Sequence, residues 1–580
     1  MGREECHAGR PAPEIVDDDR PTLMRFHKCS GEPEFRAVTA PVEVRGRTPA
    51  APPQAAELAL HALRLTGPTD RERFPRAVAA VDALLAAKRV VEATQLARAV
   101  LARDRPPVDT AARLRIRLSS ILLMTGRPHE AVEEAETILD LPGIPGDLRD
   151  TAEVVRLHSL LALDDAPRAQ VAAEAILAGD PRWGGDGALA AALSALAWIS
   201  WDRGVITVAL GLIRAAVQRV GHEQLPALHP RLSLVTMLTA VGELDEAESI
   251  LQRESVEIKR TADTLYDAAP PLFRARIHLA AGRLDRADAD AQAALTIAEE
   301  LKIETLLPFA LATLGQVAVL RGDLYRAARY AERYLREPTP PHHRLGPATH
   351  EWTVAHLTDA SGAMRTLNDL YESLPARPIL LLDEPHAAAW LTRVALAAGD
   401  QRRAETVVYA AEQLATNNTE HPAIAAAAAH ARGLLSHDVT ALERAAAGYR
   451  HPWASASASE DIGKVLVLAG ERGAARGALR PALAIYERVG AEGDAARVRT
   501  KLQDLLVRPG RRRPSSGWPS LTGTQQRVAR FVAEGLTNAQ AADRLFLSPH
   551  TVDFHLRQIF QKLGIHSRVE LTRQVLERGV

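Results

Sequence analysis

Cysteine, aromatic residues and net charge are all scarce in this chain of 580 residues. The two cysteines, Cys6 and Cys29, lie near the N-terminus, so no disulfide can cross-link the rest of the chain, which is typical of the reducing cytoplasm. Aromatic residues amount to 4%, and alanine, leucine, arginine and glutamate replace the β-branched residues that strands prefer. The formal net charge is −1, so the whole chain has no marked excess of basic or acidic side chains. We therefore predict an all-α cytoplasmic protein with several domains.

Sequence signals for membranes, metals and catalysis are missing as well. No uninterrupted run of about 18 apolar residues occurs, so no membrane-spanning helix is predicted. Cys6, His7, His27 and Cys29 are not spaced like the paired ligands of a zinc site, so no metal is predicted. The patterns G-x-x-x-x-G-K-[ST], H-E-x-x-H and G-x-S-x-G do not occur. We therefore predict neither an enzyme nor a cofactor.

A turn-forming residue followed five positions later by alanine recurs along most of the chain. The first residues of these pairs are Lys88, Gly126, Asp164, Gly204, Gly242, Gly282, Gly322, Gly399, Ser436 and Gly470. Most of the intervals are 34 to 40 residues, whereas Gly322 and Gly399 are 77 residues apart, which predicts a degenerate copy near Gly362. Such a period predicts helix hairpins that stack into a superhelix over residues 56–506, because a single hairpin cannot bury its apolar face. The concave surface of a superhelix is a binding surface, so an unknown small-molecule or protein effector is a predicted partner. The repeats resemble tetratricopeptide-like repeats, although their period differs and the usual tryptophan and tyrosine positions are not filled.

Segments without helical periodicity flank this region. Residues 1–55 mix proline, glycine and acidic residues and are predicted to be a disordered tail. Residues 507–519 combine proline, glycine and serine with Arg511, Arg512 and Arg513, and are predicted to be a basic linker. Residues 508–580 carry twelve basic and five acidic side chains, a net charge of +7. The positive charge expected for nucleic-acid binding is therefore confined to the C-terminal end.

Residues 520–580 carry unusually clear helix start and stop signals. Thr522 with Gln525, Thr537 with Gln540, and Ser567 with Glu570 form S/T-x-x-E/Q capping boxes, and Ser548 precedes a proline at the first helical position. Four helices are therefore predicted, with a short helix at 538–545 and a longer one at 549–563 forming a helix-turn-helix. Val552, Leu556, Ile559 and Leu563 share one face of the longer helix and are predicted to be buried.

These residues resemble the LuxR-type (GerE-type) DNA-binding domain. The resemblance covers about 60 residues without gaps, and its core is the run Thr551, Val552, His555, Ile559, Lys562 and Leu563. It implies that the third helix enters the DNA major groove and that the fourth supports dimerisation. Thr524 and Gln525 replace the usual Arg-Glu pair, and Asp553 stands where a basic residue commonly contacts DNA. Strong generic phosphate binding is therefore not expected, and Asp553 and Arg557 are predicted to read bases.

The predicted site follows from this resemblance. The predicted DNA contacts are Thr537, Asn538, Ser548, His550, Thr551, Asp553, Phe554, Arg557, Gln558, Gln561 and Lys562. The predicted dimer contacts are Glu570, Leu571 and Gln574. His555 is expected to pack inside the domain rather than to read bases.

Two functions remain open from the sequence. The first is a sequence-specific transcription regulator, expected to be an activator, that binds double-stranded DNA as a homodimer, with RNA polymerase as a further candidate partner. A helical repeat in front of a LuxR-type domain resembles the large ATP-binding LuxR regulators without their P-loop ATPase. The second is a repeat-based interaction scaffold whose C-terminal domain no longer binds DNA by itself.

Overall fold

The described part of the chain consists of helices and the connections between them. The computed structural model describes residues 51–179, 185–220, 230–261, 264–336, 352, 355–357, 360–506, 518, 521–545, 547 and 549–576. These residues form α-helices and one short 3-10 helix, with no strand, which confirms the predicted all-α class. The cysteine and histidine residues of the N-terminal segment, most of the predicted linker and Ser548 lie outside the described residues.

Helices follow one another along the described ranges between residues 51 and 506. The first fifteen are α1 (Pro52–Leu65), α2 (Arg73–Ala86), α3 (Val90–Arg103), α4 (Val108–Met124), α5 (Pro128–Leu139), α6 (Gly146–Ala162), α7 (Ala166–Leu177), α8 (Asp186–Asp202), α9 (Ile206–Arg219), α10 (Pro230–Val241), α11 (Leu244–Thr261), α12 (Ala269–Ala280), α13 (Leu284–Leu301), α14 (Leu307–Arg321) and α15 (Leu324–Arg336). A 3-10 helix, Thr264–Tyr266, precedes α12. The next ten are α16 (Ala360–Thr366), α17 (Asn368–Ser373), α18 (Ile379–Asp383), α19 (Ala387–Ala397), α20 (Gln401–Asn417), α21 (Pro422–Ser436), α22 (Val439–Gly448), α23 (Pro452–Leu468), α24 (Arg472–Val489) and α25 (Glu492–Leu506).

The repeated turn-and-alanine pattern marks the hairpin turns. A residue with a left-handed backbone, with φ between 55° and 83°, follows a helix at each of ten turns: Lys88, Gly126, Asp164, Gly204, Gly242, Gly282, Gly322, Gly399, His437 and Gly470. The alanines of the pattern are all fully buried, namely Ala93, Ala131, Ala169, Ala209, Ala247, Ala287, Ala327, Ala404, Ala441 and Ala475. A methyl side chain at this position lets the second helix of a hairpin lie close to its neighbour. Helical repeats therefore occupy this part of the chain, as predicted.

One detail of the predicted repeat is wrong, and one stretch of it is irregular. Ser436 is the last residue of α21, and the left-handed turn residue is His437, one position later. Gly362 lies inside α16 rather than at a turn, and the described residues around it form the three short helices α16, α17 and α18. This irregular stretch lies where a degenerate copy of the repeat was predicted.

Gly322 lies where two backbones meet. It ends α14 with φ +77°, and a Cβ atom at this position would lie 3.1 Å from the Cα atom of Gly493 in α25. A Cβ atom on Gly493 would lie 3.2 Å from the Cα atom of Gly322. Distant repeats thus pack backbone against backbone, and glycine is required at Gly322 for space as well as for its φ angle.

We expect Gly322→Ala to destabilise the repeat region more than Gly470→Ala. Gly470 has φ +82° and open space around it, so alanine there costs only the left-handed strain of about 1–2 kcal/mol. Alanine at Gly322 meets backbone as well, and overpacking adds about 1–3 kcal/mol. Urea unfolding followed by circular dichroism measures both changes. Equal losses for the two variants would show that the approach of Gly493 has no energetic consequence.

The C-terminal segment forms four further helices around a core of its own. They are α26 (Gly523–Ala533), α27 (Asn538–Leu545), α28 (Pro549–Leu563) and α29 (Arg568–Leu576). The start and end of α27 and α28 agree with the prediction. None of the helices within the described ranges is long and apolar enough to cross a membrane. Among the same residues, no group of three or more histidine, cysteine, aspartate or glutamate side chains is placed to hold a metal ion.

Candidate nucleic-acid interface

Capping hydrogen bonds fix where the C-terminal helices begin. At α26, the Thr522 hydroxyl accepts a hydrogen bond from the Gln525 backbone N–H at 3.3 Å, and Gln525 Oε1 accepts one from the Thr522 N–H at 3.1 Å. Thr537 and Gln540 make the same reciprocal pair at α27, at 3.2 and 2.9 Å. Both predicted capping boxes are therefore present.

The cap of α29 differs in one contact. The Ser567 hydroxyl accepts a hydrogen bond from the Glu570 backbone N–H at 3.2 Å, as predicted. The Glu570 carboxylate, however, accepts from the backbone N–H of His566 at 2.9 Å instead of from that of Ser567. The bond from His566 and the one from the Ser567 hydroxyl lower the pKa of Glu570. Glu570, a predicted dimer contact, is thus occupied in starting its own helix.

The apolar face of α28 anchors this helix in the domain. Val552, Leu556, Ile559 and Leu563 are all buried, as predicted. They join one hydrophobic cluster with residues of the other three helices, including Val528, Ala529, Val532, Ala541, Ala542, Leu571 and Val575. Since one face of α28 is held in this way, its opposite face is presented to solvent in a fixed orientation.

Three of the side chains predicted to contact DNA lie on the solvent face of α28. Phe554 is 54% exposed, and Arg557 and Gln561 are exposed as well. The ring of His555 lies beside that of Phe554, with 5.9 Å between their centroids, and its Nδ1 atom is buried. Burial lowers the pKa of His555. The side chain of His550 lies outside the described residues.

Asp553 and Arg557 form an ion pair on the exposed face of α28. Arg557 Nη2 donates to Asp553 Oδ2 at 2.7 Å, and the two side chains are 78% and 41% exposed. Their spacing of four residues places them one helical turn apart, so the pair was readable from the sequence, although we predicted two separate base contacts. A guanidinium has five N–H donors, so this bond leaves donors on Arg557 for another acceptor.

Gln525 fastens the base of α28 to α26. It is buried, its Nε2 atom donates to Gln558 Oε1 at 2.8 Å, and its Oε1 atom accepts from Lys562 Nζ at 2.8 Å. Gln558 and Lys562, both predicted DNA contacts, are therefore half-buried and engaged with α26. Replacing the glutamate usual at this position by glutamine keeps an acceptor for Lys562 and adds a donor for Gln558. The sequence showed Gln525 as a capping residue but not this second role.

The turn before α27 is held by a residue that the sequence analysis missed. Arg568 Nη1 donates to Asn538 Oδ1 at 3.1 Å, and Arg568 Nη2 donates to the Leu536 carbonyl at 2.9 Å. Thr537 is exposed, but its hydroxyl serves the cap of α27. Thr551, at the start of α28, is half-buried. No short-range pattern links Arg568 to a turn 30 residues earlier, so only the fold shows this contact.

The surface of α29 requires one correction to the predicted dimer contacts. Leu571 is fully buried, with 0% exposure, because it fills the core beneath α26 and α28. Gln574 is half-buried. The apolar side chains that α29 presents to solvent are Val569 and Leu576, at 78% and 72% exposure. They are seven residues apart and so lie on the same face of the helix.

Comparisons with known proteins find similarity in the same segment. Residues 519–575 match the GerE family, described as bacterial regulatory proteins of the luxR family. A protein of Mycobacterium tuberculosis strain H37Rv, named as an HTH-type transcriptional regulator, is 51% identical over 69 residues, which are 12% of this chain and 8% of that protein. A nitrate/nitrite response regulator protein homolog of Haemophilus influenzae is 47% identical over 60 residues, 10% of this chain and 29% of that protein. The match thus spans less than a tenth of the length of the mycobacterial relative.

Two solved structures are similar in fold to part of the chain. A Rap protein complexed with competence and sporulation factor is 13% identical, with a TM-score of 0.40, and covers 61% of this chain and 99% of its own. The Cut9–Hcn1 hetero-tetramer of the APC/C is 14% identical, with a TM-score of 0.37, and covers 77% of this chain and 93% of the matched chain.

Proposed function

We propose, from the premise that residues 519–575 form a GerE-type helix-turn-helix domain of the luxR family, that the chain is a sequence-specific, DNA-binding transcription regulator. The observation that carries the proposal is the solvent face of α28, where Phe554, Arg557 and Gln561 project from a helix whose other face is locked into the core. The net charge of +7 over residues 508–580 supports an anionic partner. The protein acts in the cytoplasm, and activation is the proposed direction of regulation.

In this proposal α28 lies in the major groove, and Arg557 reads a guanine. Arginine donates two hydrogen bonds to guanine O6 and N7, a geometry that distinguishes guanine from the other bases. The ion pair with Asp553 holds the guanidinium over the exposed face of α28, so less side-chain freedom is lost when the base is bound. The second oxygen of Asp553 is an acceptor for the N4 amino group of a neighbouring cytosine.

A homodimer on DNA is part of the proposal, with a revised contact surface. Val569 and Leu576 form an exposed apolar strip on α29, which we propose to be the dimer contact in place of Leu571. A two-fold dimer reads an inverted repeat whose half-sites are separated by about 34 Å or a multiple of it. The repeat region is proposed to receive an effector, and RNA polymerase is the proposed partner of the DNA-bound dimer.

One observation favours a second candidate function. The Asp553 carboxylate lies 2.7 Å from the guanidinium of Arg557 and partly neutralises the only basic side chain on the solvent face of the described part of α28. In a protein-interaction scaffold, the ion pair would serve as a polar surface contact without DNA. The scaffold predicts no enrichment of any DNA sequence by the folded chain.

We expect Arg557→Ala to relax the base preference at one position of each half-site and to weaken binding there by about 1–3 kcal/mol. Selection from a pool of random duplexes, followed by sequencing, measures the preference of the wild type and of the variant. Arg530→Ala is the matched control, because it removes the same charge from an exposed site on α26. The control should weaken binding evenly over all sequences. An unchanged motif in Arg557→Ala, or no enriched motif with folded wild-type protein, contradicts the proposal.

A further inference from the structure

A cavity lies among the helices of the repeat region. Its volume is about 170 Å³, and residues from α4 to the segment after α22 line it. Aromatic side chains form much of its wall, among them Trp198, Tyr266, Phe273 and Phe309. Apolar and aromatic walls of this kind with a few polar groups are typical of small-molecule sites.

One end of the cavity is polar, and the arginine and the glutamate at this end form an ion pair with each other. Arg276 Nη2 donates to Glu384 Oε1 at 2.6 Å, and Arg276 Nη1 donates to Gln316 Oε1 at 2.9 Å. Gln316 Nε2 donates in turn to Glu384 Oε1 at 3.1 Å. Burial opposes the charge of Glu384, but Arg276 outweighs it and holds the pKa of this carboxyl below its usual value. Arg276 and Glu384 therefore contribute no net charge to the cavity.

Asp383 is the lining group whose charge is not balanced. One carboxyl oxygen accepts a hydrogen bond from Trp201 Nε1 at 3.2 Å, and no ion pair joins Asp383 to any described residue. Burial raises the pKa of Asp383 to about 7. Arg450, the other arginine on the lining, is paired with Glu243 at 2.9 Å. Asp383 is thus the carboxyl group of the lining that forms no ion pair with an arginine among the described residues.

The two histidines of this end do not supply the missing cation. Burial lowers the pKa of His386 to about 3 and that of His451 to about 4, so both rings are neutral near pH 7. The Nδ1 atom of His451 is buried and has no hydrogen-bond partner among the described residues. A neutral ring nitrogen of this kind accepts a hydrogen bond when the proton is on the other nitrogen.

We propose that this cavity binds an elongated apolar molecule with a single ammonium group, the ammonium beside Asp383 and His451 and the apolar body along the aromatic wall. An ammonium group has three N–H donors and a positive charge, and so matches an unpaired carboxyl and an unpartnered imidazole. A carboxylate head group would instead be repelled by the carboxyl groups of Asp383 and Glu384. The inference rests on the proposed function, in which the repeat region receives the effector of a DNA-binding regulator, and it names the class of that effector.

Three probes with the same chain and different head groups test the inference on the full-length protein. Calorimetric titration at pH 7.5 compares octylamine, octan-1-ol and octanoate. We expect octylamine to bind at least tenfold more tightly than either of the others. Octanol binding as tightly as octylamine, octanoate binding more tightly, or no binding of octylamine to the folded protein would overturn the proposal.

A variant assigns the effect to Asp383. Asp383→Asn keeps an oxygen that accepts from Trp201 but removes the charge, so octylamine affinity should fall at least tenfold while octanol affinity stays the same. Asp186→Asn removes a carboxylate at an exposed site of α8 and should change neither. Unchanged octylamine affinity in folded Asp383→Asn contradicts the assignment.

DNA binding is measured on the same samples. A chain that binds DNA but not octylamine overturns only this inference. A chain that binds octylamine but not DNA overturns only the proposed function.

Discussion

Replacing Asp461 by alanine is expected to lower the free energy of unfolding of the repeat region by about 3–5 kcal/mol, because it leaves the half-buried guanidinium of Arg393 without its carboxylate partner. Asp461 is 1% exposed, and its Oδ2 atom accepts from Arg393 Nε at 2.9 Å and Arg393 Nη2 at 2.6 Å. The same oxygen contacts His430 Nε2 at 3.0 Å, while Oδ1 accepts from Lys464 Nζ at 2.7 Å. Helices α19, α21 and α23 are therefore joined at this one carboxylate.

The pKa of Asp461 indicates how strongly its charge is held. Burial opposes ionisation, but Arg393 and the hydrogen bond from His430 outweigh burial and hold the pKa of this carboxyl well below its usual value. A carboxyl with a depressed pKa in the folded state stabilises the fold above its unfolded pKa, and the contribution is lost as the pH falls through the folded value. The loss caused by Asp461→Ala should therefore be the same at pH 6 and at pH 8.

Glu412→Ala is the matched control for Asp461→Ala. Glu412 also accepts two hydrogen bonds from one arginine, Arg432, at 2.7 and 2.6 Å, but the two side chains are 38% and 44% exposed. An exposed pair of this geometry contributes less than about 1 kcal/mol. Urea unfolding followed by circular dichroism compares the variants. Similar losses for Glu412→Ala and Asp461→Ala would show that the burial of Asp461 does not increase the stability that its ion pair contributes.

Removing residues 508–580 is expected to abolish DNA binding and to leave a folded helical protein. The hydrophobic core of α26 to α29 consists of residues from that segment, and α25 ends at Leu506, so the cut passes through no helix. The net charge of residues 508–580 is +7 and that of the whole chain is −1, so residues 1–507 have a net charge of −8. A chain with that charge is repelled by the phosphate backbone.

Fluorescence anisotropy with a labelled duplex and circular dichroism of the shortened chain measure the two parts of this prediction. Binding should fall to background, and the helical signal per residue should stay close to that of the full chain. DNA binding retained by residues 1–507 would show that the repeats, rather than α28, carry the affinity. A loss of helical signal beyond the residues removed would show that the repeats depend on the C-terminal segment.

Local signals in the sequence predicted much of the fold. Turn residues such as Gly126 and Gly282 with their buried alanines, and the capping box of Thr522 and Gln525, act within a few residues, so the sequence displays them directly. Irregular stretches carry no such signal. The constant period predicted a degenerate copy near Gly362 but not the three short helices that lie between Ala360 and Asp383.

Contacts between distant residues could not be predicted in the same way. Arg393, His430 and Asp461 are separated by 31 to 68 residues, and no spacing rule brings them together. The same applies to Asp383 and Trp201, which are 182 residues apart. Leu571 was misplaced for a different reason, since the resemblance implied that the fourth helix supports dimerisation but not which of its residues face the core. The predicted DNA contacts on α28 stay predictions, because exposure alone does not show what a side chain binds.

Equilibrium affinity for a selected duplex and for a shuffled duplex of the same composition tests the central claim most directly. The measurement uses the full-length chain at several salt concentrations between about 50 and 200 mM. We expect the selected duplex to bind at least about 1,000-fold more tightly, with both affinities falling as salt rises, because phosphate contacts release counterions while base contacts give the difference. Equal affinities for the two duplexes at every salt concentration would contradict sequence-specific recognition by this protein.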